Sequence, residues 1–174
     1  MEDSRVTAKL LQHIGVKRPM QPYHDHNADR VRPGLIERMA NEAVALVSDA
    51  GTPLISDPGY KLVRDARAAG RHIVTIPGPS AVIAALTLAG LPTDRFFFAG
   101  FLPPKAKAKA DQIAEFKTLR ATLVFYESGP RLADTLAILA QVLGDREAGV
   151  AREITKAYEE CLTGTLLELA ARYE

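Results

Sequence analysis

The chain has 174 residues, 47% of them hydrophobic and 25% charged, with 22 lysines and arginines against 21 aspartates and glutamates. That length and composition suit one domain or two small ones with a true core, and they exclude wholesale disorder. A formal net charge of +1 excludes a strongly basic nucleic-acid coat and leaves room only for a local basic patch.

In chain order, Val6 to Ile14 places Leu10, Leu11 and Ile14 at helical spacing, with Gly15 as the stop. Met20 to Tyr23 reads as extended and leads into His24-Asp25-His26-Asn27. The next helix is predicted from Pro33, at its first turn, to about Asn41, with Asn27 as a capping residue further upstream. Ala43 to Val47 and His72 to Ile76 are unbroken apolar runs that read as parallel strands buried on both faces. Between them, Tyr60 to Ala69 reads as a helix closed by Gly70. Ser80 is predicted to cap a helix through Ala89.

Arg95 to Phe101 reads as a strand, Leu102 to Ala110 as a Pro/Lys/Ala connector, and the following residues to about Arg120 as a helix. Strands are predicted at Ala121 to Tyr126, Gly149 to Arg152 and Lys156 to Glu160, with helices at Arg131 to Leu143 and from Thr165 onward. This alternation implies α/β layers, a largely parallel N-terminal sheet and a mixed C-terminal one. The Pro/Gly-rich stretch from Pro77 to Pro92 is the best domain junction, giving residues 1–77 and 78–174. Cys161 stands alone, so no intrachain disulfide forms, and a reducing, cytoplasmic setting is the simplest reading. The acidic N-terminus lacks a signal-like run, and Ala81 to Leu91 is too short to span a bilayer.

The strongest local feature is the loop Ser48-Asp49-Ala50-Gly51-Thr52-Pro53-Leu54-Ile55-Ser56-Asp57-Pro58-Gly59, at the carboxyl end of a predicted strand. Open α/β sheets bind ligands at such ends. Its glycines admit close approach, its prolines limit the entropy lost on docking, and Asp49 and Asp57 supply acceptors. Two Asx turns and a helix cap are the plainer alternative, but a loop this dense in Gly, Pro and Asp favours a ligand. Pro77-Gly78-Pro79-Ser80-Ala81 is a second such turn, leading into a helix N-terminus.

No G-x-G-x-x-G and no P-loop signature occurs. Asp49-Ala50-Gly51-Thr52 lacks the second carboxylate that a haloacid-dehalogenase-like phosphatase needs. His24 and His26 form an H-x-H pair without a clear third ligand, so hydrogen-bonded histidines are favoured over a metal, and no metal site is expected.

Several motifs fall in one order: Glu2-Asp3-Ser4-Arg5, His24 to Asn27, Ser48 to Gly59, Pro77 to Ala81, Gly90-Leu91-Pro92, Phe98 to Pro103, Phe125-Tyr126-Glu127-Ser128 and Ala151 to Lys156. In this order the chain resembles the bacterial 16S ribosomal RNA (cytidine-2′-O)-methyltransferases of the tetrapyrrole-methylase superfamily, over essentially its whole length. The resemblance implies a two-domain α/β homodimer with S-adenosylmethionine (SAM) in the interdomain cleft. It also implies a cytidine ribose 2′-hydroxyl in the decoding region of 16S rRNA, within the small ribosomal subunit, as acceptor, with no membrane or DNA partner.

Strand-end reasoning and the resemblance together nominate Asp49, Gly51, Thr52, Pro53, Ile55, Asp57, Ser80, Ala81, Tyr126 and Ala151 for the cofactor. Glu2, Arg5, Glu127, Arg131, Arg152, Glu153 and Lys156 are nominated for the acceptor side, with surface salt bridges as their alternative. Lys105, Lys107 and Lys109, with Arg120, Arg131 and Lys156, are expected to form a phosphate-contacting rim, unless the lysines only solvate a linker.

Three departures from the family pattern stand out. The opening strand and loop, and a last Gly/Val-rich strand, have no counterpart, so the chain is expected to be truncated at both ends. Where the family has a His before the arginine, this chain has Gly129-Pro130-Arg131, which leaves any role of that His without support. The rival readings are a relative that methylates a tetrapyrrole carbon and a non-catalytic remnant that dimerises or binds RNA.

Overall fold

The structure, a computed structural model, describes residues 4–174. The chain forms two compact units, Met1–Pro79 and Ser80–Glu174.

Among the described residues, the first unit carries three helices, α1 (Ser4–His13), α2 (Ala28–Arg38) and α3 (Tyr60–Ala68). The first ends where the sequence predicts, with Val16 N–H donating back to the Leu11 carbonyl at 2.9 Å around Gly15. The second starts five residues before Pro33 and runs through it. A proline inside a helix removes one main-chain bond, but Ala28 and Leu35, seven apart, both bury against Tyr23 and Leu62, and that packing outweighs the local penalty. Arg32 ties α2 to α3, with Nε 2.8 Å from Asp65. Asn27 sits at the helix start, yet its side chain accepts from His24 N–H at 3.0 Å and donates to the Pro22 carbonyl at 3.1 Å, fastening the preceding turn instead of capping.

The two strands expected in this unit are corrected. Residues 43–47 and 72–76 carry no ladder. A parallel strand exists through hydrogen bonds to a neighbour, and neither run has one among the described residues. The second run is not buried either: Val74 is 71% and Ile76 90% exposed. Parallel pairing is found in the second unit.

That unit holds, in order, α4 (Ala81–Leu88), β1 (Phe96–Phe101), α5 (Ala106–Glu115), β2 (Thr122–Tyr126), a 3₁₀ turn (Gly129–Arg131), α6 (Leu132–Leu143), β3 (Glu147–Arg152), β4 (Glu160–Thr165) and α7 (Leu166–Arg172). Strands β1 and β2 are parallel, with a register break between Phe98 and Gly100, and end together at the pair Phe101–Tyr126. Strands β3 and β4 are antiparallel, from Glu147–Thr165 to Arg152–Glu160. Each strand therefore has one free edge among the described residues.

Helix α6 packs on both α5 and α7. Leu102, Ile113, Leu136, Leu139, Leu166 and Leu169 form the core between them. Ile113 is wholly buried, and truncating such a side chain to alanine costs about 2–5 kcal/mol. The start of α7 is fixed by a capping box: Thr165 Oγ1 accepts from Glu168 N–H at 3.3 Å, and Glu168 Oε2 accepts from Thr165 N–H at 2.8 Å. The last strand lies later than predicted, at 160–165 rather than 156–160, because residues 153–159 are occupied by turns.

Candidate functional site

Because β1 and β2 are parallel, their carboxyl ends lie side by side, and Tyr126 and Glu127 emerge there. The Tyr126 ring is held against Phe98 (4.8 Å between centroids) and Phe101 (5.3 Å), and burial pushes its phenol above the ordinary value. Tyr126 and Glu127 open onto a cavity of about 910 Å³ within the second unit. Consecutive residues from Thr122 to Glu127, and from Glu147 to Arg152, line it. Alternate strand residues point to opposite faces, so a wall made of consecutive ones is a strand edge. The cavity thus runs along the free edges of β2 and β3. Ala81 and Val82 from the start of α4, and Thr135 and Leu139 from α6, complete its sides. Apolar walls with a few main-chain and side-chain polar groups are what a small organic ligand requires.

Around Glu127 lies a polar cluster. Its side chain is 6% exposed. Oε1 accepts from Ser128 N–H at 2.8 Å, and Oε2 accepts from the Thr135 hydroxyl at 2.8 Å. Arg131 Nη2 stands 3.2 Å from Oε2 and also donates to the Leu102 and Pro103 carbonyls at 2.8 and 3.1 Å. Lys109 completes the cluster, its Nζ donating to Thr135 Oγ1 at 2.5 Å and lying 3.8 Å from Glu127 Oε2. Lys109 is only 2% exposed. Its expected place on an exposed rim is therefore corrected. Helix α5 begins at Ala106, and helical turning carries Lys109 inward on the same face as Ile113. The four-residue spacing to Ile113 is the signal that the alternating Lys/Ala pattern masked. Lys105 and Lys107 do remain exposed, and Lys107 pairs with Asp111 at 2.7 Å.

At the end of β3, Arg152 faces Glu160 across the ladder with 2.6 Å between Nε and Oε2. The guanidinium holds the Glu160 carboxyl below the usual carboxylate range, and Tyr173 adds a hydrogen bond at 3.3 Å. Beyond it, Lys156 Nζ meets Glu153 Oε1 at 3.3 Å on a half-exposed turn.

In the first unit, the loop from Ser48 to Gly59 folds on itself. Ser48 Oγ donates to the Ala50 carbonyl at 2.7 Å, and Thr52 Oγ1 donates to the Pro79 carbonyl at 2.9 Å, joining the two ligand-type loops of the sequence. Asp57 lines a recess of about 350 Å³ together with Tyr23, Asp25, Asp29 and Lys61. Asp49 is half-buried, Gly51 and Ile55 are exposed, and Pro53 is half-buried. The described non-glycine residues with positive φ are Leu54 (74°), Ser56 (54°), Glu153 (51°) and Thr155 (67°). Leu54 and Ser56 fall in the loop from Ser48 to Gly59, and Glu153 and Thr155 in the turn that follows β3, within the Ala151 to Lys156 motif. Such backbone costs of order 1–3 kcal/mol each and concentrates at functional sites.

Of the nominated residues, Ala81, Tyr126, Glu127, Ala151 and Arg152 share the second unit's cavity, and Arg131 braces its wall through Glu127. Glu153 and Lys156 sit on the adjoining turn rather than in the lining. Ser80 occupies the helix start without a side-chain cap bond. Arg5 lies exposed on α1, and Glu2 lies outside the described residues. Sequence reasoning passed over Thr135, and it named Lys109 only as a member of the exposed rim.

A profile of the family described as Tetrapyrrole (Corrin/Porphyrin) Methylases matches residues 1–170. Among curated proteins, the chain is 49% identical over 174 residues to "Ribosomal RNA small subunit methyltransferase I" of Mesorhizobium japonicum, covering 99% of this chain and 59% of that protein. It is 51% identical over 170 residues to the protein of the same name from Xylella fastidiosa (97% and 62% covered) and 46% identical over 172 residues to that of Escherichia coli O157:H7 (98% and 60%). The chain spans about three fifths of the length of these relatives.

Proposed function

Because the chain belongs to the tetrapyrrole (corrin/porphyrin) methylases, we propose that it is part of a SAM-dependent methyltransferase that modifies the small ribosomal subunit, at a cytidine ribose 2′-hydroxyl in the decoding region of 16S rRNA. The observation that carries the reading is the gathering of Ala81, Tyr126, Glu127, Ala151 and Arg152 around one cavity, at the carboxyl ends of β2 and β3, in a chain about half identical to rRNA small-subunit methyltransferases. The cytidine and its 2′-oxygen rest on the motif resemblance alone. A homodimer working in the cytoplasm, without DNA or membrane, belongs to the same reading. No described helix is long and apolar enough to cross a membrane.

The residues fit a nucleoside sulfonium. The cavity offers aliphatic walls and the unpaired main-chain groups of two strand edges, the pairing that a purine and ribose require. Tyr126, Ala151 and Ala81 would hold it in the second unit. Asp49, Gly51, Thr52, Pro53, Ile55, Asp57 and Ser80 are the further proposed contacts. Bound there, the cofactor supplies a methyl group on a positively charged sulfur, an activated leaving group.

The protein's task is then alignment, which in favourable cases offsets about 7–11 kcal/mol of barrier, and help with the hydroxyl proton, worth roughly 10²–10⁴-fold. Glu127 is suited to positioning rather than to taking that proton, since both its oxygens already accept from protein donors. Arg152, Lys156 and Arg5 are the cations suited to acceptor phosphates, while Glu153 and Glu2 complete the proposed acceptor side.

Calorimetric titration with S-adenosylhomocysteine, followed by methylation of small ribosomal subunits, tests the proposal. Saturable one-per-subunit binding and methyl incorporation at a ribose are expected. A folded sample that binds no S-adenosylhomocysteine overturns the cofactor assignment, and methylation of a base or a tetrapyrrole overturns the acceptor.

A further inference from the structure

Lys109 is the least expected side chain in the second unit: a lysine 2% exposed, reaching a cavity-lining threonine and a cavity-lining glutamate. We propose that Lys109 is a positioning residue, which acts through Thr135 and Glu127 to hold the segment after β2 in its ligand-binding shape. The inference rests on the reading of this cavity as the cofactor site.

The chemistry at each link leaves one arrangement. An ammonium only donates, so Thr135 Oγ1 must accept from Lys109. A carboxylate only accepts, so the single Thr135 proton is directed to Glu127 Oε2. The other oxygen, Oε1, accepts the Ser128 N–H, so the carboxylate cannot rotate without losing a bond. Oε2 also faces Arg131, whose guanidinium spans to the carbonyls of Leu102 and Pro103 just past β1. One chain of contacts therefore runs from α5 through α6 to the carboxyl ends of both parallel strands. Tyr126 is the residue immediately before its hub. A well-packed apolar group in place of a buried ion pair stabilises a fold equally well. What the lysine adds is direction.

The test uses Lys109→Met, which keeps length and removes charge and donors, Lys109→Arg, which keeps the charge, and Thr135→Val, which cuts the link and keeps the shape. S-adenosylhomocysteine affinity is measured by calorimetry for each, beside hydrogen exchange of the amides from 127 to 132 and of α7. Lys109→Met and Thr135→Val are expected to weaken binding roughly tenfold, as loss of a supporting shell does, and Lys109→Arg to recover most of it. The Ser128 amide should exchange faster while α7, in the same core, keeps its protection. A purely structural lysine would loosen both together.

Wild-type affinity in both Lys109→Met and Thr135→Val, or Lys109→Arg as weak as Lys109→Met, overturns the proposal. If the wild-type chain itself binds no S-adenosylhomocysteine, the cofactor reading falls, and exchange alone decides the inference: unchanged Ser128 protection in Lys109→Met then overturns it. Should Lys109→Met fail to fold, Thr135→Val carries the same test.

Discussion

Gly149 on β3 and Ala89, just past α4, approach so closely that a β-carbon at 149 would lie 3.0 Å from the Ala89 methyl. Both residues line the large cavity, so the contact sets how near the helix stands to the strand edge. Gly149→Val should push them apart at a cost of about 1–3 kcal/mol, the usual penalty of overpacking. Urea unfolding of the variant measures it. A midpoint equal to wild type would show that the α4–β3 contact yields freely.

Gly59 enters α3 at a φ of 138°, and a β-carbon there would meet Leu46 Cδ2 at 2.7 Å. Gly59→Ala combines backbone strain with a clash, and a loss of at least about 1–3 kcal/mol is expected from the backbone alone. The same unfolding experiment reads it, and exchange of α3 amides should report the change locally. Full retention of stability would mean that the loop from Ser48 to Gly59 is not held as described.

The Arg152–Glu160 pair gives a pH dependence of known sign. Glu160 is held below its ordinary value, chiefly by the hydrogen bond from Arg152. Its contribution is therefore complete above the unfolded carboxylate value of about 4.3 and is lost as pH falls through the lowered folded value. The pair is exposed and its worth modest. Melting curves between about pH 3 and about pH 7 should fall less steeply on the acid side for Glu160→Gln than for wild type. Parallel curves would contradict the assignment.

With Lys109 buried, the candidate phosphate-contacting rim retains Lys105, just before α5, and Lys107, on its exposed side. Charge reversal of both, Lys105→Glu with Lys107→Glu, should weaken the proposed binding to small ribosomal subunits and flatten its dependence on salt. S-adenosylhomocysteine affinity should stay at the wild-type level. Unaltered subunit binding would remove these lysines from the interface.

The helices were legible because each announces a buried stripe and an end. Leu62 and Ala66 mark the inner face of α3, and Thr165 with Glu168 spells the capping box of α7. Pro33 misled because a local breaker was outweighed by burial of Ala28 and Leu35. The runs 43–47 and 72–76 misled for a different reason. An apolar run states that cover is needed, but a strand also requires a neighbour with matching hydrogen bonds, and a single sequence does not name that neighbour. At the candidate site, motif order nominated Tyr126, Glu127, Ala151 and Arg152, which line one cavity. Thr135, and the burial of Lys109, did not show, since a polar residue on a helix is ordinarily solvated, and only its four-residue offset from Ile113 places Lys109 inside.

Thr155 is β-branched and holds a φ of 67°. That conformation costs a threonine about 1–3 kcal/mol, more than the roughly 0.4–1 kcal/mol that glycine's freedom in the unfolded chain would cost. Thr155→Gly should therefore melt higher than wild type, and a sequence chosen for durability alone would carry glycine at this point. One substitution would relieve the strain, and the threonine stands there nonetheless. In a thermostability selection the turn from Glu153 to Lys156 is accordingly the place to look for variants that gain heat resistance at the expense of the proposed methyl transfer.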